Sequence, residues 1–231
     1  MSAKELALAK LRSIIFDPRY HDLLAIVKGI RAGLVYGVKV RAPHAIIMSL
    51  IFHRTPWKTR LQFIYQATKQ HALNLAKFVT IYKTMLLVQR RLAHADKERS
   101  GETFWAGLVG GWFVFGDRNA VNEQIVLYVV GRAVTSLLPR APIPASAPII
   151  SSIPSRPTEP RLIPPGYPYP KTQPPDSYIF KIYAALAWGS IMWLFANRRE
   201  RLQGGMVSSM QYLYLDSEVW SSLRTFFWHN V

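Results

Sequence analysis

The chain has 231 residues, 50% of them hydrophobic, and its 29 lysines and arginines against 13 acidic residues leave a net charge of +16. It contains no cysteine, which excludes a disulfide framework, a thiolate zinc site and a thiol nucleophile. The charge predicts an acidic partner, which could be nucleic acid, an anionic lipid surface or an acidic protein groove.

The first predicted element is a short amphipathic helix over residues 2–16, where charged residues are mixed with leucines and isoleucines. Ser2 and Glu5 have the spacing of a capping box, and the apolar side could lie on a membrane surface. The stretch lacks the continuous apolar core of a secretory signal. A mitochondrial presequence is the alternative, and Glu5, Asp17 and Asp22 count against it.

Regularly spaced glycines mark the next helix, a candidate membrane span over residues 29–52. Gly29, Gly33 and Gly37 recur every four residues, so on a helix they form one face that favours close packing. The opposite side of the helix is basic and carries Lys28, Arg31 and Lys39. Pro43 predicts a kink or a break if the helix continues, since proline has no amide hydrogen. Glycines that merely mark loops are the alternative.

Residues 61–88 predict a second long helix with a polar stripe that includes Lys69, Lys77 and Lys83. A lysine surrounded by lipid costs about 2.5–3.5 kcal/mol, so the stripe must face water, protein or phosphate headgroups. The helix therefore either lines an aqueous path or lies in the membrane surface. Together the two helices supply six residues as a candidate cationic lining: Lys28, Arg31, Lys39, Lys69, Lys77 and Lys83.

An uncharged stretch over residues 103–116 contains a second small-residue face, with Gly107 and Gly111 four residues apart. At about 1.5 Å per residue it is short for a membrane crossing. Asn119 is then predicted to cap a helix over residues 121–138. Glu123 near the start of that helix either complements the helix dipole or pairs with Arg118 or Arg132.

Most of the 16 prolines lie between residues 139 and 175, a stretch that cannot form a helix or a sheet and reads as a linker. The spacing of Pro154 and Pro157 also matches a PxxP ligand, although a passive tether is the simpler interpretation.

The most informative segment is residues 178–197, whose only charge, Lys181, lies near its first end. It is long and apolar enough to span a bilayer, and the basic residues Arg198, Arg199 and Arg201 follow at once. A buried helix of a large soluble domain is the alternative.

The tail over residues 207–231 predicts an interfacial helix capped by Asp216 or Ser217. A soluble interaction arm is the alternative. The apolar side of the predicted helix consists of Val219, Trp220, Leu223, Phe226 and Phe227.

Five stretches, residues 19–48, 66–83, 107–134, 187–195 and 208–220, closely resemble the family of peroxisomal membrane protein 4, the 24-kDa peroxisomal integral membrane proteins. That family is distantly similar to the channel subunits of the mitochondrial inner-membrane protein translocases. The resemblance implies a multi-pass protein of the peroxisomal membrane, delivered by the cytosolic import receptor for peroxisomal membrane proteins. Residues 4–16 and 196–202 are candidate receptor-binding stretches. The Pro-rich linker departs from the animal members of the family, in which it is shorter.

The predicted fold is all-α, a multi-pass integral membrane helix bundle with glycine-mediated helix packing through Gly29, Gly33, Gly37, Gly107 and Gly111. The chain divides into a basic helical membrane domain (1–138), the Pro-rich linker (139–177), a transmembrane span (178–203) and an amphipathic aromatic tail (204–231).

No enzymatic chemistry is indicated by the residues. The six histidines include no pair at helical spacing for a metal, and there is no nucleophile elbow or phosphate-binding glycine loop. We therefore expect no catalytic residues, no metal and no cofactor.

Two functions of different classes are compatible with the pattern. In the first, the protein is structural, a scaffold that binds lipid headgroups or partner proteins and could form a homo- or hetero-oligomer. In the second, the helices enclose a translocase-like or anion-selective solute pore lined by the cationic residues. A soluble nucleic-acid-binding protein is a distant third, and we expect no nucleic acid as partner.

Overall fold

The computed structural model describes residues 3–52, 55–93, 100–137 and 176–228, and every regular element within those ranges is helical. The all-α prediction is therefore confirmed for this part of the chain. The Pro-rich stretch over residues 139–175 and the predicted cap at Ser2 lie outside the described residues.

The helices, in chain order, are α1 (Ala3–Ile15), α2 (His21–Phe52), α3 (Trp57–Ala93), α4 (Ser100–Gly110), α5 (Ala120–Leu137), α6 (Asp176–Asn197), α7 (Gly204–Met210) and α8 (Leu223–Phe227). Two of them continue into a π-helical turn, α4 over Gly111–Phe115 and α7 over Gln211–Leu215. Short 3₁₀ turns lie over Pro18–Tyr20, Arg199–Arg201 and Asp216–Glu218.

Helices α2 and α3 form a long antiparallel hairpin, and both extend beyond the predicted bounds. The break considered at Pro43 does not occur, since α2 runs through it to Phe52. A single missing amide hydrogen removes one hydrogen bond, and the turns on either side keep theirs.

The predicted glycines of α2 lie in close contact with α3. A Cβ atom built on Gly29 would lie 2.8 Å from Cγ1 of Val79, and one built on Gly33 would lie 2.8 Å from the Cα of Ala76. At Gly37 the added atom would overlap the Cα of Ala72.

Helix α4 packs antiparallel to α6, and glycines again lie at the contact. A Cβ on Gly107 would lie 2.7 Å from the carbonyl oxygen of Trp188, and one on Gly111 would lie 2.8 Å from that of Ala184. Gly189 of α6 in turn faces Phe104 of α4. These contacts bring the uncharged stretch against the most apolar helix of the chain.

Helix α5 begins where the sequence predicts, because Oδ1 of Asn119 accepts hydrogen bonds from the amides of Val121 (3.2 Å) and Asn122 (3.0 Å). At this end Nζ of Lys181 lies 3.3 Å from Oδ1 of Asp117. Val134, near the far end of α5, lines one groove with Leu194 of α6. Helices α5 and α6 therefore run in the same direction.

An aromatic cluster fills the centre of the bundle. The ring of Phe78 lies 4.3 Å from that of Trp188 and 5.7 Å from that of Phe115, and Tyr82 packs edge-on against Tyr214 at 5.1 Å. Tyr214 belongs to the C-terminal tail, so the tail completes the core.

The prediction of a single interfacial helix for the tail was wrong. Met206, Met210, Leu213 and Tyr214 are buried in the core, so this part of the tail packs on the bundle and not in the membrane surface.

Neither Asp216 nor Ser217, the two residues predicted to cap a helix of the tail, caps the start of a helix. The buried hydroxyl of Ser217 donates to the carbonyl of Leu213 at 2.9 Å, and Asp216 lies within a 3₁₀ turn. Instead Ser222 caps α8, since its Oγ accepts from the amide of Thr225 at 3.1 Å.

Of the helices in the described ranges, α6 alone has the length and hydropathy of a membrane span, over Ser177–Asn197 with a mean hydropathy of 1.5. The stretch predicted as a span, residues 178–197, is therefore one continuous helix that meets these two criteria.

Candidate functional site

The six residues of the predicted cationic lining lie in two different environments. Lys28 and Lys83 are almost fully buried, with 1% and 5% of their surface exposed. The remaining four are exposed or half-buried: Arg31, Lys39, Lys69 and Lys77. The structure thus brings together two of the six, one from α2 and one from α3.

The buried pair is held by residues 216–219 of the tail, and we call Lys28, Lys83, Asp216, Glu218 and Val219 the lysine clasp. Nζ of Lys28 donates to the carbonyl oxygen of Asp216 at 2.9 Å and also to that of Val219. Nζ of Lys83 forms an ion pair with Oε1 of Glu218 at 2.9 Å. Buried ammonium groups need such partners, because an unpaired charge in a protein interior is costly.

The local sequence explains how the clasp forms. Gly29 leaves room for the side chain of Lys83, whose Cδ would lie only 3.3 Å from a Cβ at that position. The 3₁₀ turn Asp216–Glu218 is followed by Val219 in an extended conformation. This change of backbone direction presents the two carbonyl groups to Lys28.

Trp220 covers the clasp. Its ring stacks on that of His21 at a centroid distance of 4.7 Å, and its Nε1 donates to the carbonyl of Ile15 at 3.1 Å. Nε2 of His21 also lies 3.0 Å from the carbonyl oxygen of Glu218. The tail is therefore tied to the start of α2 and the end of α1.

A small cavity of about 140 Å³ adjoins the clasp. Both signs of charge line it, from Asp22 and Glu218 and from Lys83 and Arg90. Because these acidic and basic side chains balance each other, the cavity does not present a cationic surface to an anion.

A second polar cluster joins α3 to the start of α5. Nδ2 of Asn74 donates to Oδ1 of Asn122 at 2.7 Å in a buried contact, and Gln70 donates to Asn119 at 3.1 Å. Asn122 also donates to the carbonyl of Asp117 at 2.9 Å. Gln70, which belongs to the predicted polar stripe of α3, thus binds the protein itself, and Asn74 was not part of that prediction.

Glu123 has the first of the two partners considered for it. Nη2 of Arg118 lies 3.1 Å from its Oε1, in a half-buried ion pair at the start of α5.

Sequence reasoning missed the acidic and carbonyl partners of the buried lysines. Asp216 and Glu218 lie far from Lys28 and Lys83 in the chain, and no spacing rule connects them. The available signal was weak: two acids in an aromatic tail whose only lysine or arginine is Arg224.

These observations define a class of protein: an α-helical membrane protein with one clear span, close helix contacts at glycines, and buried lysines held by its own tail. The chain belongs to the Tim17/Tim22/Tim23/Pmp24 family, whose model matches residues 18–131.

The chain is similar along nearly its whole length to two proteins named peroxisomal membrane protein 4. It is 36% identical to the Bos taurus protein over 95% of this chain and 91% of the relative, and 35% identical to the Homo sapiens protein over 96% and 92%. No solved structure matches the chain. The predicted family and the location in the peroxisomal membrane are thereby confirmed.

Proposed function

We propose that the chain is a non-enzymatic, multi-pass structural protein of the peroxisomal membrane that binds partner proteins or lipids on its exterior. The observation that carries this proposal is the lysine clasp. Its two lysines are engaged by the chain's own tail, so they are not available to attract a passing anion.

The exterior of the α2–α3 hairpin supports more than one membrane crossing. At about 1.5 Å per residue the 32 residues of α2 and the 37 of α3 are longer than the ~30 Å hydrocarbon core. Large apolar side chains are exposed along α2, among them Val27, Val35, Val38, Ile47 and Ile51. An exposed apolar surface of this extent marks contact with lipid or with another protein.

Packing at glycines is the proposed basis of the bundle. Without a hydrophobic force between helices in lipid, close van der Waals contact has to hold them together. The contacts of Gly29, Gly33 and Gly37 with α3, and of Gly107 and Gly111 with α6, have the required closeness.

We also propose that the cytosolic import receptor for peroxisomal membrane proteins binds residues 4–16 and 196–202. Support comes from exposure, since Leu6, Leu8, Leu11 and Ile14 of α1 are open to the surroundings. Arg198, Arg199 and Arg201 are exposed as well.

Planar bilayers distinguish the scaffold from an anion-selective or translocase-like pore. We expect no anion-selective current from the purified chain. A current that is lost in Lys69→Gln/Lys77→Gln but kept in the matched control Lys10→Gln/Lys58→Gln would contradict the scaffold function and support the pore.

Native gels of solubilised peroxisomal membranes test the scaffold directly. We expect the chain to migrate in an assembly larger than its monomer, as a homo- or hetero-oligomer. Migration as a monomer in every mild detergent would contradict partner binding.

A further inference from the structure

A groove with a volume of about 620 Å³ lies between α4, α5 and α6. Its walls are almost entirely apolar and include Phe104, Val130, Val134, Leu186, Trp193 and Leu194. Val134 and Leu186 are 54% and 49% exposed, so the groove is open along the outside of the bundle. Because α6 has the properties of a membrane span, the opening faces lipid.

A basic cluster, Arg198, Arg199 and Arg201, follows the end of α6 beyond this groove. The residues of α6 that line it recur at steps of three and four, ending at Trp193 and Leu194. Helix α6 ends at Asn197, and the amide of Arg198 still donates to the carbonyl of Leu194 at 2.8 Å, so Arg198 lies about 6 Å beyond Leu194 along the helix axis. The amide of Arg201 donates to the carbonyl of Arg198 at 3.0 Å, which places Arg201 one 3₁₀ turn further on.

Arg198 and Arg201 are exposed. Arg199 differs from them, because its guanidinium lies over the ring of Phe195 at 4.6 Å and its Nε donates to the carbonyl of that residue at 3.2 Å. The three arginines outweigh Glu200, so the cluster has a net positive charge. An apolar groove that ends at a basic cluster is complementary to a molecule with an apolar chain and an anionic head.

An extended peptide and an acyl chain are two candidate occupants of the groove, and they differ in the polar groups that they carry. An extended peptide in this groove would bring one carbonyl per residue to a wall that offers few hydrogen-bond donors, and unsatisfied backbone groups in hydrocarbon cost several kcal/mol each. An acyl chain carries no polar group along its length, so the wall suits it.

We propose that this groove binds one acyl chain of an anionic membrane glycerophospholipid, whose phosphate is held by Arg198 and Arg201. The proposal rests on the membrane location of the protein and not on its role as a scaffold. The lipid would fill the outer space between α5 and α6 and join them laterally.

The test uses the full chain in nanodiscs of phosphatidylcholine, with and without phosphatidylglycerol that carries a photoreactive diazirine on its acyl chain. We expect the label on α4, α5 and α6, at groove residues. Val134→Trp should abolish the label, because Val134 is exposed at the groove and the indole ring would occupy the space without entering the core. If that variant does not fold, Ser190→Leu on the facing wall serves the same purpose.

The headgroup is tested by retention of lipid in native mass spectrometry. Arg198→Gln/Arg201→Gln should weaken retention of phosphatidylglycerol about 25-fold, since each of the two basic residues near an anionic headgroup contributes about a factor of five. The control Lys10→Gln/Lys58→Gln removes the same charge from α1 and α3, neither of which lines the groove, and should leave retention unchanged.

Three outcomes would overturn the proposal. They are equal retention of phosphatidylcholine and phosphatidylglycerol, labelling that Val134→Trp leaves unchanged, and a groove that crosslinks to residues 138–175 or to a second copy of the chain in place of lipid.

Discussion

Single residues decide how closely the helices of this protein approach each other. The four-residue spacing of Gly29, Gly33 and Gly37 predicted a packing face, and each of them lies against α3 with no room for a methyl group. The burial of Lys28 and Lys83 could not be predicted in the same way. Whether a lysine faces water or the interior depends on what covers it, and here the cover is more than a hundred residues distant along the chain.

Gly37→Leu should destabilise the α2–α3 hairpin by about 1–3 kcal/mol, because the added side chain has to push the backbone of Ala72 away. Thermal unfolding in detergent, followed by circular dichroism, measures the loss. Gly131 of α5 provides the matched control, since nothing lies within 4 Å of a Cβ built there. Gly131→Leu should be neutral or slightly stabilising, since leucine favours a helix more than glycine does. Equal effects of the two changes would contradict close packing at Gly37.

Glu218→Gln should destabilise the protein by about 1 kcal/mol, because it leaves the buried ammonium of Lys83 without its carboxylate. The loss stays below that of a fully buried pair, since the side chain of Glu218 is 41% exposed.

A double-mutant cycle with Lys83→Met isolates the pair in the same detergent unfolding measurement, and we expect the double variant to recover part of the loss. Glu200→Gln, an exposed acid outside the clasp, is the control. Additive effects of the two single changes would show that the ion pair contributes nothing.

Whole elements were predicted best where one local rule decides them. Asn119 caps α5 because a short amide side chain reaches the amides two and three residues ahead, which needs no knowledge of the rest of the fold. The tail was predicted poorly for the opposite reason. Its apolar residues fit a membrane surface as well as a protein core, and only the presence of Phe78, Tyr82 and Trp188 nearby favours the core.

Trp220→Ala should loosen the tail from the rest of the bundle, because it removes the stack on His21 and the hydrogen bond to Ile15. Hydrogen exchange of the amides in residues 21–28 and 216–220 should become faster. Trp228→Ala removes an equal side chain that is 78% exposed and should change little. Faster exchange in both variants, or in neither, would mean that Trp220 does not hold the tail.

At the scale of the whole molecule, the direction of the helices sets which of their ends lie together. Helix α5 runs parallel to α6, from the ion pair of Asp117 with Lys181 towards the groove end at Val134 and Leu194. The order of the helices was predicted from the sequence, but their directions were not, because the Pro-rich stretch between α5 and α6 is long enough to permit either.

Single cysteines test these directions, and the chain contains no cysteine that would interfere. Thr135→Cys and Asn197→Cys should react with an impermeant maleimide from one side of sealed peroxisomal membranes, and Asp117→Cys only after permeabilisation, or the reverse. The unsubstituted chain is the blank. Labelling of Thr135→Cys and Asn197→Cys from opposite sides would refute the parallel arrangement.

Two neighbouring helices that point the same way place the end of one and the start of the next at opposite ends of the pair. A tight turn of about two or three residues, which is enough for a helical hairpin, cannot bridge the length of α5, about 27 Å at ~1.5 Å per residue. An extended chain covers at most about 3.3–3.6 Å per residue, so the connection needs roughly eight residues or more. Residues 138–175 exceed that length, and cutting them to fewer than about eight should prevent α5 and α6 from packing side by side.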